Sequence, residues 1–291
     1  METEKDKKYY LYIGILVLQC FLWGSGTPIV KIGLATIPPF YCLAIRFGLA
    51  FAVFLAFFWK KLVAGYKWES IKNCITIGIF NAGVFIFATL AIKLTTATIA
   101  GFLMGLSVLF TPFMTFVVLK RKPARVIYIA IGLTVAGMYL LCGGGEFTFG
   151  WGELYAVLSS VTFAATLVYT SKHLDAVGPE LLSTAQTGVA AAISVVFALL
   201  LEDFSVSQIT AGGWGIILYL SLVTTCLTYI MQNHALKRVS PLVVSLIFCA
   251  EPIFSAISAY FLLGEKLTAL GFVGAGLVTL GIVIASVRLV E

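Results

Sequence analysis

Residues 96–140 read TATIAGFLMGLSVLFTPFMTFVVLKRKPARVIYIAIGLTVAGMYL, and residues 240–284 read SPLVVSLIFCAEPIFSAISAYFLLGEKLTALGFVGAGLVTLGIVI. The two stretches align without a gap. Phe110 falls on Phe254, Leu119 on Leu263, Lys122 on Lys266, Gly132 on Gly276, Leu133 on Leu277 and Gly137 on Gly281. Just upstream, Ala91-Ile92-Lys93 falls on Ala235-Leu236-Lys237 at the same spacing. Six identities in 45 positions are few, but the remaining pairs are mostly apolar on apolar. Matching Pro112 with Pro252 instead loses the glycine pairs. At a spacing of 140, Pro39 falls on Pro179 and Arg46 on Gln186. The chain is thus an internal duplication, and duplicated hydrophobic halves of opposite orientation are how many secondary transporters are built.

The rest of the sequence sets that duplication in a membrane. Of 291 residues, 60% are hydrophobic and 11% charged, whereas about a quarter of a soluble domain's residues carry charge. A hydrocarbon layer about 30 Å thick takes roughly 20 residues of helix to cross. Ten apolar runs of about that length are present: 10–33, 40–61, 71–92, 95–119, 125–143, 151–172, 179–201, 211–236, 240–263 and 267–288. This predicts an all-α membrane protein with ten transmembrane helices. The first run is too long for a signal-peptide core and lacks a small-residue cleavage pattern, so it reads as a retained helix. The six cysteines show no CxxC spacing and read as buried small hydrophobes.

Charge sets the orientation. With the N-terminus inside, Lys5, Lys7, Lys8, Lys60, Lys61, Lys67, Lys72, Lys120, Arg121, Lys122, Arg125, Lys172, Lys237, Arg238 and Arg288 are cytoplasmic, and only Lys31, Lys93 and Lys266 are external. That is a positive-inside bias and puts both termini in the cytoplasm. The net charge of +6 therefore reflects topology and not nucleic-acid binding. Five spans per half is an odd number, so the halves must lie oppositely in the membrane. The charges agree: the cytoplasmic loop Lys120-Arg121-Lys122-Pro123-Ala124-Arg125 has an external counterpart, Gly264-Glu265-Lys266-Leu267-Thr268, that has lost most of its cations. The expected organisation is a first five-helix repeat over 1–143, an external linker over 144–150, and a second, inverted repeat over 151–291.

In combination these features resemble the EamA-type family of the drug/metabolite transporter superfamily. The resemblance rests on Leu22-Trp23-Gly24-Ser25, Arg46-Phe47, Thr95-Thr96-Ala97, Leu103 to Pro112, Ala235-Leu236-Lys237 with Ser240-Pro241, Glu251-Pro252, and Leu263-Gly264-Glu265-Lys266-Leu267. It covers essentially the whole chain. It implies ten helices in two inverted repeats, alternating access, and export of small metabolites or amino acids. One departure is Lys120-Arg121-Lys122-Pro123, where many relatives carry the Gly-Glu type of sequence that this chain has in its second half.

Glu251 is the sharpest candidate residue, because a carboxylate in mid-span costs about 2.5–3.5 kcal/mol on insertion scales. It could bind a substrate amine or take up a proton; alternatively it anchors backbone donors near the break expected at Pro252. Arg46, about 10 Å from its helix end, could hold a substrate carboxylate, or tie helices together, or snorkel outward. Pro28, Pro112 and Pro252 each remove a backbone donor inside a span, and the resulting kinks can expose carbonyls. Trp23 and Thr27 belong to an unusually small and polar stretch before Pro28. A polar and aromatic set falls at similar depths: Asn81 and Phe85, Phe102 and Ser107, Phe163 and Tyr169, then Thr225, Tyr229, Gln232 and Asn233. Thr225, Tyr229 and Gln232 share one helical face, which fits either a cavity wall or interhelical hydrogen bonding. Gly101, Gly105 and the glycines of the last run permit close helix approach, within the chain or at a dimer face.

These readings predict a secondary carrier of neutral or zwitterionic metabolites in the cell membrane, monomeric or homodimeric. Its partners are a small-molecule substrate and the lipid bilayer, with protons as a candidate coupling ion. A channel or a non-transporting receptor for similar solutes is the alternative. No HExxH, paired aspartate motif, GxSxG or GxxxxGK[ST] is present, so neither an intramembrane enzyme nor direct ATP drive is expected, and no cofactor or metal.

Overall fold

The computed structural model describes residues 4–64, 68–95, 97–141, 150–263 and 268–287. Among them there is no strand, and ten apolar spans succeed one another. The first three are single helices, α1 (Glu4–Gly33), α2 (Pro39–Ala64) and α3 (Trp68–Leu94). The fourth is α4 (Ala97–Gly105) followed by α5 (Ser107–Leu119), and the fifth is α6 (Arg125–Leu141). The sixth and seventh are α7 (Trp151–Val177) and α8 (Pro179–Leu201). The eighth contains α9 (Ala211–Ser221), a π-helical turn (Leu222–Leu227) and α10 (Thr228–Ala235). The ninth is α11 (Pro241–Phe248) with α12 (Glu251–Leu263), and the tenth is α13 (Ala269–Val287). Helix starts follow local chemistry. Pro179 and Pro241 occupy first turns, where a missing N–H costs nothing. Thr210 and Ser240 cap α9 and α11 by accepting from Gly213 N and Val243 N. The linker expected over 144–150 lies almost wholly outside the described residues, as do Thr96 and the Gly264 to Leu267 loop.

Large apolar side chains face outward, among them Phe57, Phe113, Phe261, Phe272 and Leu200. That is the surface a hydrocarbon solvent requires. The spans pack with a two-fold exchange symmetry. The second packs on the seventh and the fifth on the tenth; the first packs on the ninth as the sixth packs on the fourth; the first meets the eighth as the sixth meets the third; and the second meets the eighth as the seventh meets the third. Exchanging the halves turns this list into itself. Two five-span repeats related in this way, with an odd number of crossings each, form the inverted pair expected from the sequence.

The glycine pair of the internal alignment lies on this symmetry axis. A Cβ on Gly137 would lie 2.7 Å from the Gly274 carbonyl oxygen and 2.8 Å from Val278 N. One on Gly281 would lie 2.8 Å from the Ala130 carbonyl oxygen and 3.4 Å from Val278's repeat partner, Thr134, at its N. Shifting the first set by 144 gives the second. Glycine at both places lets the short helices α6 and α13, of 17 and 19 residues, touch backbone to backbone. Gly274 and Gly281 are therefore spent within the chain.

The fourth and ninth spans are each broken, and at equivalent points; a break is expected beside Pro252 in the ninth span but not in the fourth. Leu106 separates α4 from α5, and Cys249-Ala250 separates α11 from α12; Leu106 plus 144 is Ala250. Proline does not set the first break, since α5 runs through Pro112 six residues later. Likewise α1 runs uninterrupted through Pro28. Only Pro252 adjoins a break.

Candidate functional site

Where the eighth span widens into its π turn, the helical ladder is diverted. Thr228 N–H bonds the Thr225 carbonyl, so the Thr224 carbonyl loses the i+4 donor an α-helix would supply. Side chains replace it. Arg46 Nη2 donates to it at 3.2 Å, Trp23 Nε1 at 3.0 Å and Thr228 Oγ1 at 2.9 Å. Trp23 Nε1 also reaches Thr228 Oγ1 at 3.0 Å. Arg46 adds bonds from Nε to Thr225 Oγ1 at 2.8 Å and from Nη2 to Thr224 Oγ1 at 3.0 Å. Its guanidinium lies 4.9 Å from the Phe85 ring centre and 5.4 Å from that of Phe47. The first, second, third and eighth spans meet here. A desolvated cation–π contact contributes about 2 kcal/mol, enough with the hydrogen bonds to offset the insertion cost of one arginine.

A second polar chain continues from this hub. Tyr229 OH donates to Asn81 Oδ1 at 2.7 Å, and Asn81 Nδ2 donates to the Gln186 carbonyl at 3.3 Å. Asn233 Nδ2 donates to Gln186 Oε1 at 2.9 Å and to Ser183 Oγ at 2.8 Å. By the repeat spacings Gln186 is the counterpart of Arg46 and Asn81 that of Thr225. The Arg46–Thr225 contact across the second and eighth spans therefore has its image in Gln186–Asn81 across the seventh and third. All these groups except Trp23 and Phe85 are buried.

The third cluster is more open. Trp23, Phe163 and Phe248, from the first, sixth and ninth spans, form a ring triangle with centroids 5.1–6.0 Å apart. Next to it, α12 begins at Glu251. Gly24 allows α1 to pass over this point; a Cβ there would sit 2.8 Å from the Glu251 carbonyl oxygen and 2.7 Å from Phe254 Cβ. Cys20 Sγ lies 3.3 Å from the Ile247 carbonyl. Glu251 is half-buried as a residue, and its side chain makes neither a hydrogen bond nor an ion pair among the described residues. It thus leaves the backbone donors at the break unbonded by its carboxylate. Its position in the first turn of α12 places it in the positive end of that helix's dipole.

The two sides of this level differ in packing. Every residue from Pro241 to Ala250 is buried, and Leu16, Cys20, Ile77, Leu167, Leu174, Val243 and Ile247 form one continuous core there. Beyond the break, residues 251–256 are only half-buried, as are Gly101, Phe102, Met104 and Gly105 in α4. One mouth of the interior is sealed and the other is loosely filled.

The remaining candidates lie apart. Phe102 packs on Tyr139 of the fifth span, and Tyr169 on Phe80 of the third. Ser107, the counterpart of Glu251, is buried at the start of α5. Thr27 bonds back to the Trp23 carbonyl at 3.5 Å. Gln232 is buried and accepts from Gln19 Nε2 at 3.0 Å. Gln19, fully buried in the first span, was not singled out from the sequence, although a lone amide in an apolar run is the same signal that drew attention to Gln232. Thr224 accepts through its hydroxyl and also through its backbone carbonyl, and side-chain chemistry does not announce the latter. No group of three or more His, Cys, Asp or Glu able to hold a metal occurs among the described residues.

The profile of the EamA-like transporter family matches residues 10–143 and again 150–287, one match per repeat. An uncharacterized transporter of Archaeoglobus fulgidus is 26% identical over 98% of this chain and 89% of its own. The uncharacterized transporter YyaM of Bacillus subtilis is 27% identical over 96% and 94%. The uncharacterized inner membrane transporter YedA of Escherichia coli is 23% identical over 94% and 90%. A solved crystal structure superposes with a TM-score of 0.79 at 19% identity, covering 96% of this chain and 98% of that one; this likeness concerns the fold.

Proposed function

The chain belongs to the EamA-like transporter family, and from that premise we propose that it exports neutral or zwitterionic, amino-acid-like metabolites across the cell membrane by alternating access. The solute sits between the repeats, on the aromatic triangle of Trp23, Phe163 and Phe248, with its cationic end toward Glu251. The observation that carries this reading is the Glu251 carboxylate. It lies in mid-span, it bonds none of the described residues, and it opens the helix that follows a break in the ninth span. A charge held there at about 2.5–3.5 kcal/mol without a protein partner is suited to a ligand's ammonium group. With both termini cytoplasmic, as the charge bias indicates, the sealed mouth is the inner one and the conformation described is outward-facing. Export as the direction rests on the family resemblance.

Purified protein in liposomes, loaded in turn with each of the common amino acids and with their amines, tests this. Saturable uptake stimulated by internal solute is expected for at least one compound, with at least about a tenfold loss in Glu251→Gln, the equivalent of one charge-assisted contact. If no compound moves, or if Glu251→Gln moves it at the wild-type rate, the reading fails. Flux that is linear in solute and insensitive to internal solute would mean a channel.

A further inference from the structure

The solute site proposed above leaves one feature of the sequence unused. The loop between the fourth and fifth spans carries Lys120, Arg121, Lys122 and Arg125, all exposed, and none forms a hydrogen bond or ion pair among the described residues. Immediately beside it, on the outer face of the bundle, runs a groove of about 570 Å³ lined by Leu109, Pro112, Phe113, Phe116, Tyr128 and Ile131, with Lys122 and Pro123 at its end. Its volume is in the range of clefts that enclose small molecules, roughly 300–1,000 Å³.

Local backbone creates this juxtaposition. Lys120 terminates α5 in the left-handed conformation, at φ 55°, a conformation that few non-glycine residues adopt. The chain turns there, and the loop crosses the end of the groove. Leu109, Phe113 and Phe116 lie on one face of α5 at helical spacing, and Tyr128 and Ile131 are one turn apart on α6. Leu109, Phe113, Phe116 and Tyr128 are between 45% and 64% exposed. The occupant of such a groove in a membrane is lipid, and the charges at its end select which lipid.

We propose that this groove holds one anionic phospholipid. Its acyl chain lies along Leu109, Phe113 and Phe116, and its phosphate is paired with Lys122 and the neighbouring cations of the loop. The positive-inside bias places the loop at the cytoplasmic leaflet, where anionic lipids give a negative surface potential and each nearby Lys or Arg contributes about fivefold in affinity. Tyr128 stands at the headgroup level, the usual position of membrane-interface tyrosines. The second repeat does not reproduce the site. The groove positions become Ile253, Ala256, Ile257, Tyr260, Phe272 and Ala275, and the four cations are reduced to Lys266 beside Glu265. The site therefore belongs to one leaflet.

Native mass spectrometry of the protein in mild detergent, titrated with phosphatidylglycerol, phosphatidylcholine or inorganic phosphate, tests the assignment. One phosphatidylglycerol should bind in preference to phosphatidylcholine, and inorganic phosphate at equal concentration should not displace it. The variant carrying Lys120→Gln, Arg121→Gln, Lys122→Gln and Arg125→Gln should lose at least about tenfold of that preference. Leu109→Trp, which fills the groove and keeps every charge, should lower retention of both lipids. Absence of the preference in the wild type overturns the proposal, and so does its survival in the neutralised variant. Displacement by phosphate, or undiminished binding in Leu109→Trp, reduces the feature to a charged surface patch and also overturns it.

Discussion

The fourth and ninth spans have nearly the same backbone and opposite chemistry. Each is two helices with a break, and the helices after the breaks, Ser107–Leu119 and Glu251–Leu263, correspond residue for residue at a spacing of 144. Yet one opens on a buried serine and the other on a half-buried glutamate whose carboxylate is unbonded among the described residues. The seams of the second and seventh spans repeat the lesson, with Arg46 against the eighth span and Gln186 against the third. Duplication has preserved what packing requires, which is the glycines, the breaks and the pairing of spans. It has left a single copy of each buried charge. A carrier needs two equivalent gates but only one place for each end of a solute, so this division of labour follows from the mechanism proposed.

The sharpest way to break the comparison is at the symmetry axis. Gly281→Leu should destabilise by about 3 kcal/mol or more, because the added side chain meets the Ala130 carbonyl, and backbone cannot step aside. Gly276→Leu should change stability by less than about 0.5 kcal/mol, since a Cβ there meets nothing within 4 Å. Both glycines are identities in the repeat alignment, so thermal melting in detergent separates a packing constraint from shared ancestry. Equal losses in the two variants would remove the axis from the account.

The second comparison exchanges chemistry between the broken spans. Ser107→Glu places a carboxylate in a site only 3% exposed, and about 3 kcal/mol of destabilisation is expected. Glu251→Gln, at the equivalent place, should alter stability by less than about 1 kcal/mol while abolishing most transport. A Glu251→Gln protein that melts many degrees lower would mean that the carboxylate anchors the break and serves no solute.

The contrast also shows how far the sequence could be read. The register, the ten spans and the inverted halves were legible because glycine spacing, apolar run length and cation placement are each one-dimensional signals. The break at Leu106 was not, because prolines pointed elsewhere: Pro28 and Pro112 are accommodated inside helices, whereas that break has no proline near it; only the ninth-span break was announced, by Pro252. The candidate residues sorted only in three dimensions. Tyr229, Asn81 and Thr225 have the composition of a cavity wall, but their polar atoms bond one another and Arg46. Trp23 and Phe163, ordinary in a chain this aromatic, come together with Phe248, which no sequence signal singled out. The hub itself depends on a backbone carbonyl released by a π turn, and no side chain encodes that.

The smallest expected effects concern the two ends of the seam between the second and seventh spans. At one end Glu202 accepts from Phe40 N at 3.0 Å and Tyr41 N at 2.9 Å, so a carboxylate from one repeat caps the first turn of α2 in the other. At the opposite end Lys61 pairs with Glu180 at 2.7 Å, but the lysine side chain is 65% exposed. The two contacts have similar lengths and unequal worth. Glu202→Ala leaves two helix N–H groups without an acceptor and should cost about 1 kcal/mol. Lys61→Ala removes an ion pair already screened by solvent and should cost less than about 0.5 kcal/mol. Raising salt should erase the Lys61→Ala difference and leave that of Glu202→Ala largely in place, because only the exposed pair is screened. Melting curves of both variants at low and high ionic strength decide it, and a Lys61→Ala loss equal to that of Glu202→Ala would show that the seam is tied alike at both ends.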